Sequence, residues 1–106
     1  MMLMSTTDTL AGREIEETLG LVKGNSVQSR NVGRDIVAGL RNFVGGEMKE
    51  YAEMLVRSRE IATKGMEEEA LQLGTDAIVG VRFTTSSVMD GTSEVLAYGT
   101  AVRLKK

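Results

Sequence analysis

The sequence predicts a single α+β domain with two layers, in which a short and a long helix lie on one face of an antiparallel sheet. Three observations support this fold class. The chain has 106 residues, enough for one domain with its own core, so residues 1–106 are taken as one unit. Apolar residues alternate near both ends of the chain and follow a helical period in the middle. Glycines stand where one period gives way to the other.

The N-terminal part of the chain is predicted to be β-structure. Residues 2–6 alternate weakly and form a short strand, which a turn around Asp8, Thr9 and Gly12 closes. Residues 13–30 form a second, longer strand with spaced apolar side chains. We expect bulges or bends where small and turn-forming residues interrupt this pattern. These residues are Gly20, Gly24 and Asn25.

Two helices are predicted in the middle of the chain. The first begins at Asn31, whose side-chain oxygen can cap a helix, and ends at Gly45 and Gly46. Its apolar positions are Ile36, Leu40, Phe43 and Val44. The second spans residues 47–73, with Gly74 as its C-terminal cap. Its apolar stripe consists of Met48, Tyr51, Leu55, Ala62, Met66, Ala70 and Leu73.

The C-terminal part is predicted to form a hairpin. Positions 77, 79, 81 and 83 alternate with 78, 80, 82 and 84, and a second alternating run follows at 95–104. Asp90 and Gly91 between the runs are a strong hairpin-turn signal. Because apolar residues occur on both faces of these strands, one face is left exposed in a monomer. Self-association would cover it, although scattered exposed apolar residues are also normal.

Composition excludes several classes of function. The chain has no Cys and no His, which removes thiolate and imidazole nucleophiles, bases and metal ligands. The net charge of −2 gives no support to nucleic-acid binding. No apolar run is long enough to cross a bilayer, and residues 1–10 lack the features of a signal peptide. We therefore expect no membrane association and a cytoplasmic location.

The candidate binding residues lie in and just after the first predicted helix. Arg34 and Arg41 are seven residues apart and share a helical face, so their guanidinium groups could hold a carboxylate or a phosphate. Gly45 and Gly46 precede a helix N-terminus, which could also hold a small anion. The candidate ligand-binding or inter-subunit residues are Arg34, Asp35, Arg41, Gly45, Gly46 and Tyr51. The more ordinary interpretation is ion pairing between subunits.

Two groups of residues could suggest a metal site, but each has a simpler explanation. Met1, Met2 and Met4 bring thioethers close together, and thioethers favour Cu(I), but ordinary apolar packing explains them as well. Glu67, Glu68 and Glu69, with Asp76, could suggest a hard cation. Three consecutive helical residues point in different directions, however, so a solvated helix face is the better interpretation. The sequence thus predicts no metal site, no cofactor and no catalytic set of residues.

The segment that carries the candidate residues also carries a resemblance to a known family. The pattern resembles the signature of the YbjQ-like family of small bacterial and archaeal proteins, which are of unknown function and are sometimes labelled as heavy-metal-binding. The resemblance extends over nearly the whole chain. The residues that carry it are Ser5, Thr6, Thr7, Gly12, Arg34, Asp35, Ala38, Gly39, Arg41, Gly45, Gly46, Tyr51, Arg59, Glu60, Asp76, Gly80 and Gly99.

The resemblance implies a two-layer dodecin/YbjQ-like subunit that assembles into a homopentameric ring. Arg34, Asp35 and Arg41 would then be natural members of the contact between subunits. The sequence departs from the family pattern at Val32 and Gly33, at Glu47 and at Ala52. The carboxylate of Glu47 could itself occupy the helix N-terminus, which weakens the case for an anion there. The leading hypothesis is a non-enzymatic homo-oligomer with a small anionic ligand; the alternative is a metal-binding protein.

Overall fold

The computed structural model of the chain describes the backbone of residues 2–28, 46–89 and 92–106, and the side chains of residues 2–27, 52–86 and 94–106. Four strands and one helix are present in this part: β1 (Leu3–Met4), β2 (Ile15–Gln28), α1 (Gly46–Gln72), β3 (Ala77–Met89) and β4 (Thr92–Leu104). The short first strand, the long helix and the hairpin are therefore confirmed. The first predicted helix and the turn predicted at Asp90 and Gly91 lie outside the described residues.

The four strands form one sheet in the order β1-β3-β4-β2. β4 pairs with β2 and β3 in antiparallel fashion, whereas β1 pairs with β3 in parallel, with Leu3 beside Ala77. The prediction of a wholly antiparallel sheet is therefore wrong at this edge. A parallel neighbour requires a crossover connection, and the rest of the chain between β1 and β3 provides it.

The buried stripe of α1 repeats every four residues and is made of small and flexible side chains. Its members are Met54, Ser58, Ala62, Met66 and Ala70. Leu73, which the sequence pattern placed in the stripe, is 44% exposed. Gly74 ends the helix as predicted, with a φ of 75°, and its N–H donates to the carbonyl of Leu71 at 3.2 Å.

The helix approaches β2 so closely that the strand carries a glycine at the contact. A Cβ built on Gly24 would overlap the carbonyl oxygen of Ala62 and the amide nitrogen of Met66. On the helix side, Gly65 faces the Cα of Gly24. The sequence prediction of a bend at Gly24 and Asn25 is thus wrong, because β2 pairs regularly with β4 there. The irregular points of β2 lie earlier, between Ile15 and Glu17 and between Thr18 and Gly20, so the bulge or bend predicted at Gly20 is confirmed.

A bulge at Gly80 changes which side chains of β3 face the helix. The pairing with β4 shifts between Val79 and Arg82, and Gly80 has a φ of 62°, which favours glycine. Ile78 and Val81 therefore both pack into the core beneath α1, while Val79 faces the other side of the sheet. The strict alternation predicted for residues 77–84 is corrected by this single extra residue.

Both faces of the sheet carry buried apolar residues. The main core lies between the sheet and α1 and includes Val22, Met66 and Ala101. A second cluster on the opposite face consists of Ala77, Val79, Val102 and Leu104, with Leu10 and Ile15 packed against it. The expectation that this face would lie exposed is therefore wrong at this end of the sheet, because the chain covers it itself.

Candidate functional site

A concave surface in the described part of the chain is a groove along one flank of α1. Its volume is about 700 Å³. The apolar floor consists of Met4, Val56, Leu71 and Phe83, and the rim is formed by Arg59, Glu60, Thr63, Lys64, Glu67 and Glu68. We call this surface the helix-flank groove.

The groove exists because α1 does not lie centrally on the sheet. It packs mainly against β2 and, to a smaller extent, β4. The helix covers Ile78 and Val81 of β3, whereas Met4 of β1 and Phe83 of β3 lie beside it and line the groove. The two glycines at the other flank, Gly24 and Gly65, hold the helix on that side.

The floor of the groove exposes large apolar side chains. Leu71 is 61% exposed, Phe83 48% and Val56 42%. Isolated exposed apolar residues are ordinary, but these three side chains line one concavity together with Met4. A set of apolar side chains that share one concave surface is typical of a surface that another molecule covers.

Strand β1 is fixed at the edge of the groove by several contacts. The Met2 amide donates to Glu67 Oε1 at 3.3 Å, which ties the strand to the helix across the core. Arg82 Nη1 donates to the carbonyl oxygens of Thr6, at 2.7 Å, and Val81, at 2.9 Å. The amide and the carbonyl of Ser5 are both hydrogen-bonded to β3, which holds the neighbouring Met4 in the groove floor.

The rim carries charges of both signs and surrounds an apolar floor. Arg59 and Lys64 are the cations, and three glutamates are the anions. Such an arrangement suits the burial of an amphipathic surface, with apolar contact at the centre and charge pairing at the edge. Within the described residues, no three of the acidic side chains come together as a metal-binding group would require.

A second and more polar recess lies near the middle of β2. It has a volume of about 400 Å³ and is lined by Lys23, Gly24, Asn25, Glu69, Glu94 and Leu96. Asn25 Nδ2 donates to Glu94 Oε2 at 2.9 Å, so these two polar groups already satisfy each other. The recess therefore offers fewer free groups to a ligand than the helix-flank groove does.

Two of the six candidate binding residues predicted from the sequence lie within the described backbone. Arg34, Asp35, Arg41 and Gly45 lie outside the described residues. Gly46 is the first residue of α1, and Tyr51 lies in the early part of the same helix. The anion-site hypothesis thus stays a prediction. The floor residues Val56, Leu71 and Phe83 were missed, because a sequence pattern does not show that a helix lies off the centre of its sheet.

Two of the three thioethers named from the sequence, those of Met2 and Met4, have a structural role, and Met1 lies outside the described residues. As expected, Met2 and Met4 lie on the same face of the N-terminal segment. Met2 and Met66 are buried in the main core, and Met4 packs against it. Cys and His are absent from the whole sequence, so thiolate and imidazole ligands are excluded. Among the described residues, the thioethers of Met2, Met4 and Met66 do not fit a soft-metal site, since they pack in or against the core as ordinary apolar side chains.

Comparison with known proteins identifies the family. Residues 2–105 match the YbjQ family model, which is described as "Putative heavy-metal-binding". A UPF0145 protein of Vibrio campbellii is 57% identical over 103 residues, which cover 97% of this chain and 99% of that protein. A UPF0145 protein of Methanosarcina acetivorans is 52% identical over 103 residues, with 97% of each chain covered. The chain belongs to the YbjQ (UPF0145) family, and the resemblance seen in the sequence is confirmed.

A solved structure supports the fold. A crystal structure of a protein of unknown function from Pediococcus pentosaceus, which belongs to the DUF74 family, matches with a TM-score of 0.65. The sequence identity is 19%, and 98% of each chain is covered. This similarity supports the mixed α+β fold of the chain. No helix in the described part of the chain is long and apolar enough to cross a membrane.

Proposed function

We propose that this protein is a non-enzymatic subunit of a homo-oligomer, and that a second copy of the chain covers the helix-flank groove. The observation that carries the proposal is the joint exposure of Val56, Leu71 and Phe83 in one concave surface. Burial of these side chains would gain about 25 cal/mol for each Å² removed from water. The rim charges of both signs could pair with charges on the neighbouring copy.

The groove is concave and lies on one flank of the subunit, so the surface that fills it must differ from it. Such a contact is heterologous, and repeated heterologous contacts close into a ring when the rotation between copies allows it. The resemblance to the YbjQ family implies a ring of five. We adopt the homopentamer as the proposed assembly, with the cytoplasm as its proposed compartment.

Size-exclusion chromatography coupled to light scattering tests this proposal. We expect a mass several times the 11.5 kDa of one chain. Leu71→Asp introduces a charge on the groove floor and should shift the protein towards smaller species. Ile61→Asp is the matched control, because Ile61 is 53% exposed on the same helix but does not line the groove. A monomeric wild type at micromolar concentration would refute the proposal.

We further propose that the oligomer holds a small anion through Arg34, Arg41 and the Gly45–Gly46 turn. The support is the sequence pattern alone: two arginines on one helical face, and a glycine turn before the N-terminus of α1. A thermal-shift screen of phosphate, carboxylates and nucleotides tests it. Arg41→Ala should abolish any shift, while Arg57→Ala, a change at an exposed arginine of α1, should not. No shift with the wild type would count against the site.

The alternative function is metal binding, which the description of the family suggests. The donor set of this chain speaks against it, because soft metals prefer the thiolate and imidazole ligands that the sequence lacks. Calorimetry of untagged protein with Cu(I), Zn(II) and Ni(II) decides between the two. We expect no stoichiometric binding. One equivalent bound at about micromolar affinity would favour the alternative.

A further inference from the structure

The residues that link β2 to α1 carry an apolar face that needs a partner surface. The sequence predicts an amphipathic helix in residues 31–45, and its apolar face consists of Ile36, Leu40, Phe43 and Val44. A helix with such a face is stable when that face is buried against another surface. We call residues 29–45 the linking segment.

The helix-flank groove matches this predicted helix in length. Val56 and Leu71 line the two ends of the groove and are about 22 Å apart along the axis of α1, at 1.5 Å per residue. Residues 31–45 would extend over about 21 Å as a helix. The insertion of an amphipathic helix into an apolar groove is a common mode of protein recognition.

The linking segment and the groove rim carry opposite net charges. The segment has three arginines and one aspartate, which are Arg30, Arg34, Arg41 and Asp35. The rim has three glutamates and two cations. Opposite charge guides association and acts over about 8 Å at physiological ionic strength, so it does not need direct ion pairs. The charge of the rim therefore favours the linking segment as its occupant.

A small recess adjoins the groove beside β1. Its volume is about 180 Å³, and Met4, Thr63 and Phe83 line both the recess and the groove. Aromatic side chains that fill such pockets carry much of the binding energy at interfaces. Phe43 is the single aromatic residue of the linking segment. In the recess, its ring would meet that of Phe83.

The two ends of the linking segment keep it away from the far end of the groove in its own chain. The segment joins α1 at Gly46, and Leu71 lies about 38 Å further along the helix axis. The other end follows β2, which runs towards the N-terminal end of α1. Gly20 is level with Ile78, just after the helix, whereas Gly24 lies against the middle of the helix. A helix of about 21 Å attached at this end does not reach Leu71, whereas the segment of another copy has no such restriction.

We propose that the linking segment of one copy lies in the helix-flank groove of the next copy, with its apolar face on the floor and Phe43 in the small recess. The proposal rests on the self-association proposed above and names the part of the second copy that enters the groove. The contact joins two different surfaces, so each copy supplies one segment and receives another.

Disulfide trapping tests this docking in a chain that has no cysteine of its own. Thr63→Cys provides a thiol that lines both the groove and the recess. It is combined in turn with Ile36→Cys, Leu40→Cys and Phe43→Cys, which place a second thiol along the apolar face. A disulfide needs Cα atoms within about 7 Å, so at least one of the three pairs should form it between copies. The product is a ladder of covalent multimers on a denaturing, non-reducing gel.

Two control pairs keep one thiol in place and move the other. Ala38→Cys with Thr63→Cys puts the segment thiol on the face opposite the apolar one. Leu40→Cys with Ile61→Cys puts the thiol of α1 at an exposed residue outside the groove. Each control should give at least about ten-fold less ladder than the best of the three pairs, because its thiols do not meet. Each single variant should give no species larger than a dimer.

Light scattering provides a second measurement that does not depend on oxidation. Phe43→Asp should shift the oligomer towards smaller species, as expected for Leu71→Asp on the groove floor. Ala38→Asp is the matched change on the opposite face of the segment and should leave the mass unchanged. Circular dichroism shows whether each variant folds, and if Phe43→Asp does not, the trapping result decides.

The outcomes distinguish this inference from the proposed function. A multimer in light scattering whose three pairs give no more ladder than the controls would overturn the docking of the linking segment and leave self-association in place. Disulfides that form only within single chains would overturn it in the same way. A monomer under all conditions would overturn both proposals. A ladder specific to the apolar-face pairs supports both.

Discussion

The two flanks of α1 differ in how closely the helix meets the sheet. On the β2 flank, a glycine on the strand and a glycine on the helix allow the two backbones to touch. On the β1 and β3 flank, the same helix leaves the groove with its exposed Leu71 and Phe83. The close contact with β2 thus places the whole helix away from the centre of the sheet. Stability of the subunit should therefore depend on the β2 flank, and assembly on the other.

The largest loss of stability is expected at the close contact between β2 and α1. Gly24→Ala should lower the free energy of unfolding by about 4 kcal/mol, beyond the usual range for overpacking, because the new Cβ overlaps backbone atoms of Ala62 and Met66. Gly65→Ala is the control on the facing residue, where the nearest atom is 3.4 Å from the built Cβ. Its helix propensity gain of about 1 kcal/mol should offset most of its cost. Urea unfolding measures both, and equal losses would contradict the difference.

The next largest loss of stability is expected in the main core between α1 and the sheet. Met66 is fully buried, so Met66→Ala should remove its packing, leave a cavity, and lower the free energy of unfolding by about 3 kcal/mol. Thermal unfolding at fixed protein concentration provides the measurement. Met66→Leu keeps most of the volume and should cost less than about 1.5 kcal/mol. A loss below about 1 kcal/mol for the alanine variant would show that the core collapses around the gap.

A stabilising substitution is expected in the buried stripe of α1. Ser58 is buried, and its hydroxyl has no hydrogen-bond partner among the residues that the structure describes. Ser58→Ala should raise the free energy of unfolding by about 1 kcal/mol, because an unsatisfied buried hydroxyl is removed. Ser26→Ala serves as the contrast, since Ser26 is buried and does have an interaction partner. Its loss should lower stability, so the two serines should move the urea midpoint in opposite directions.

The smallest change in stability is expected on the floor of the helix-flank groove. Leu71 is 61% exposed, so Leu71→Ala should change the stability of a dissociated subunit by no more than about 0.5 kcal/mol. At concentrations where copies associate, the same variant should lose more, because the floor of the groove is then covered. Unfolding measured across a range of protein concentrations tests this, and a loss that does not change with concentration would argue against a covered groove.

The sequence predicted the elements better than their arrangement. The period of apolar residues identified α1 and the hairpin, and Gly74 marked the helix end correctly. The parallel pairing of β1 was missed, because two residues of strand carry no sign of their partner. The bulge at Gly80 was also missed, since a single extra residue inverts the faces of β3 without changing its composition. The groove depends on the parallel pairing of β1 and on the bulge at Gly80. Because neither was predicted, the groove floor was not predicted either.

The parallel pairing of β1 also has a consequence for how the chain folds. Leu3 and Ala77 come from distant parts of the sequence, whereas β3 and β4 follow each other directly along the chain. Closing the longer loop costs more chain entropy, and contacts between distant residues slow folding. The hairpin and the helix can form while the first residues are still free. The edge that β1 closes is therefore completed late, so the first part of β3 gains its outer partner strand only after the hairpin has formed.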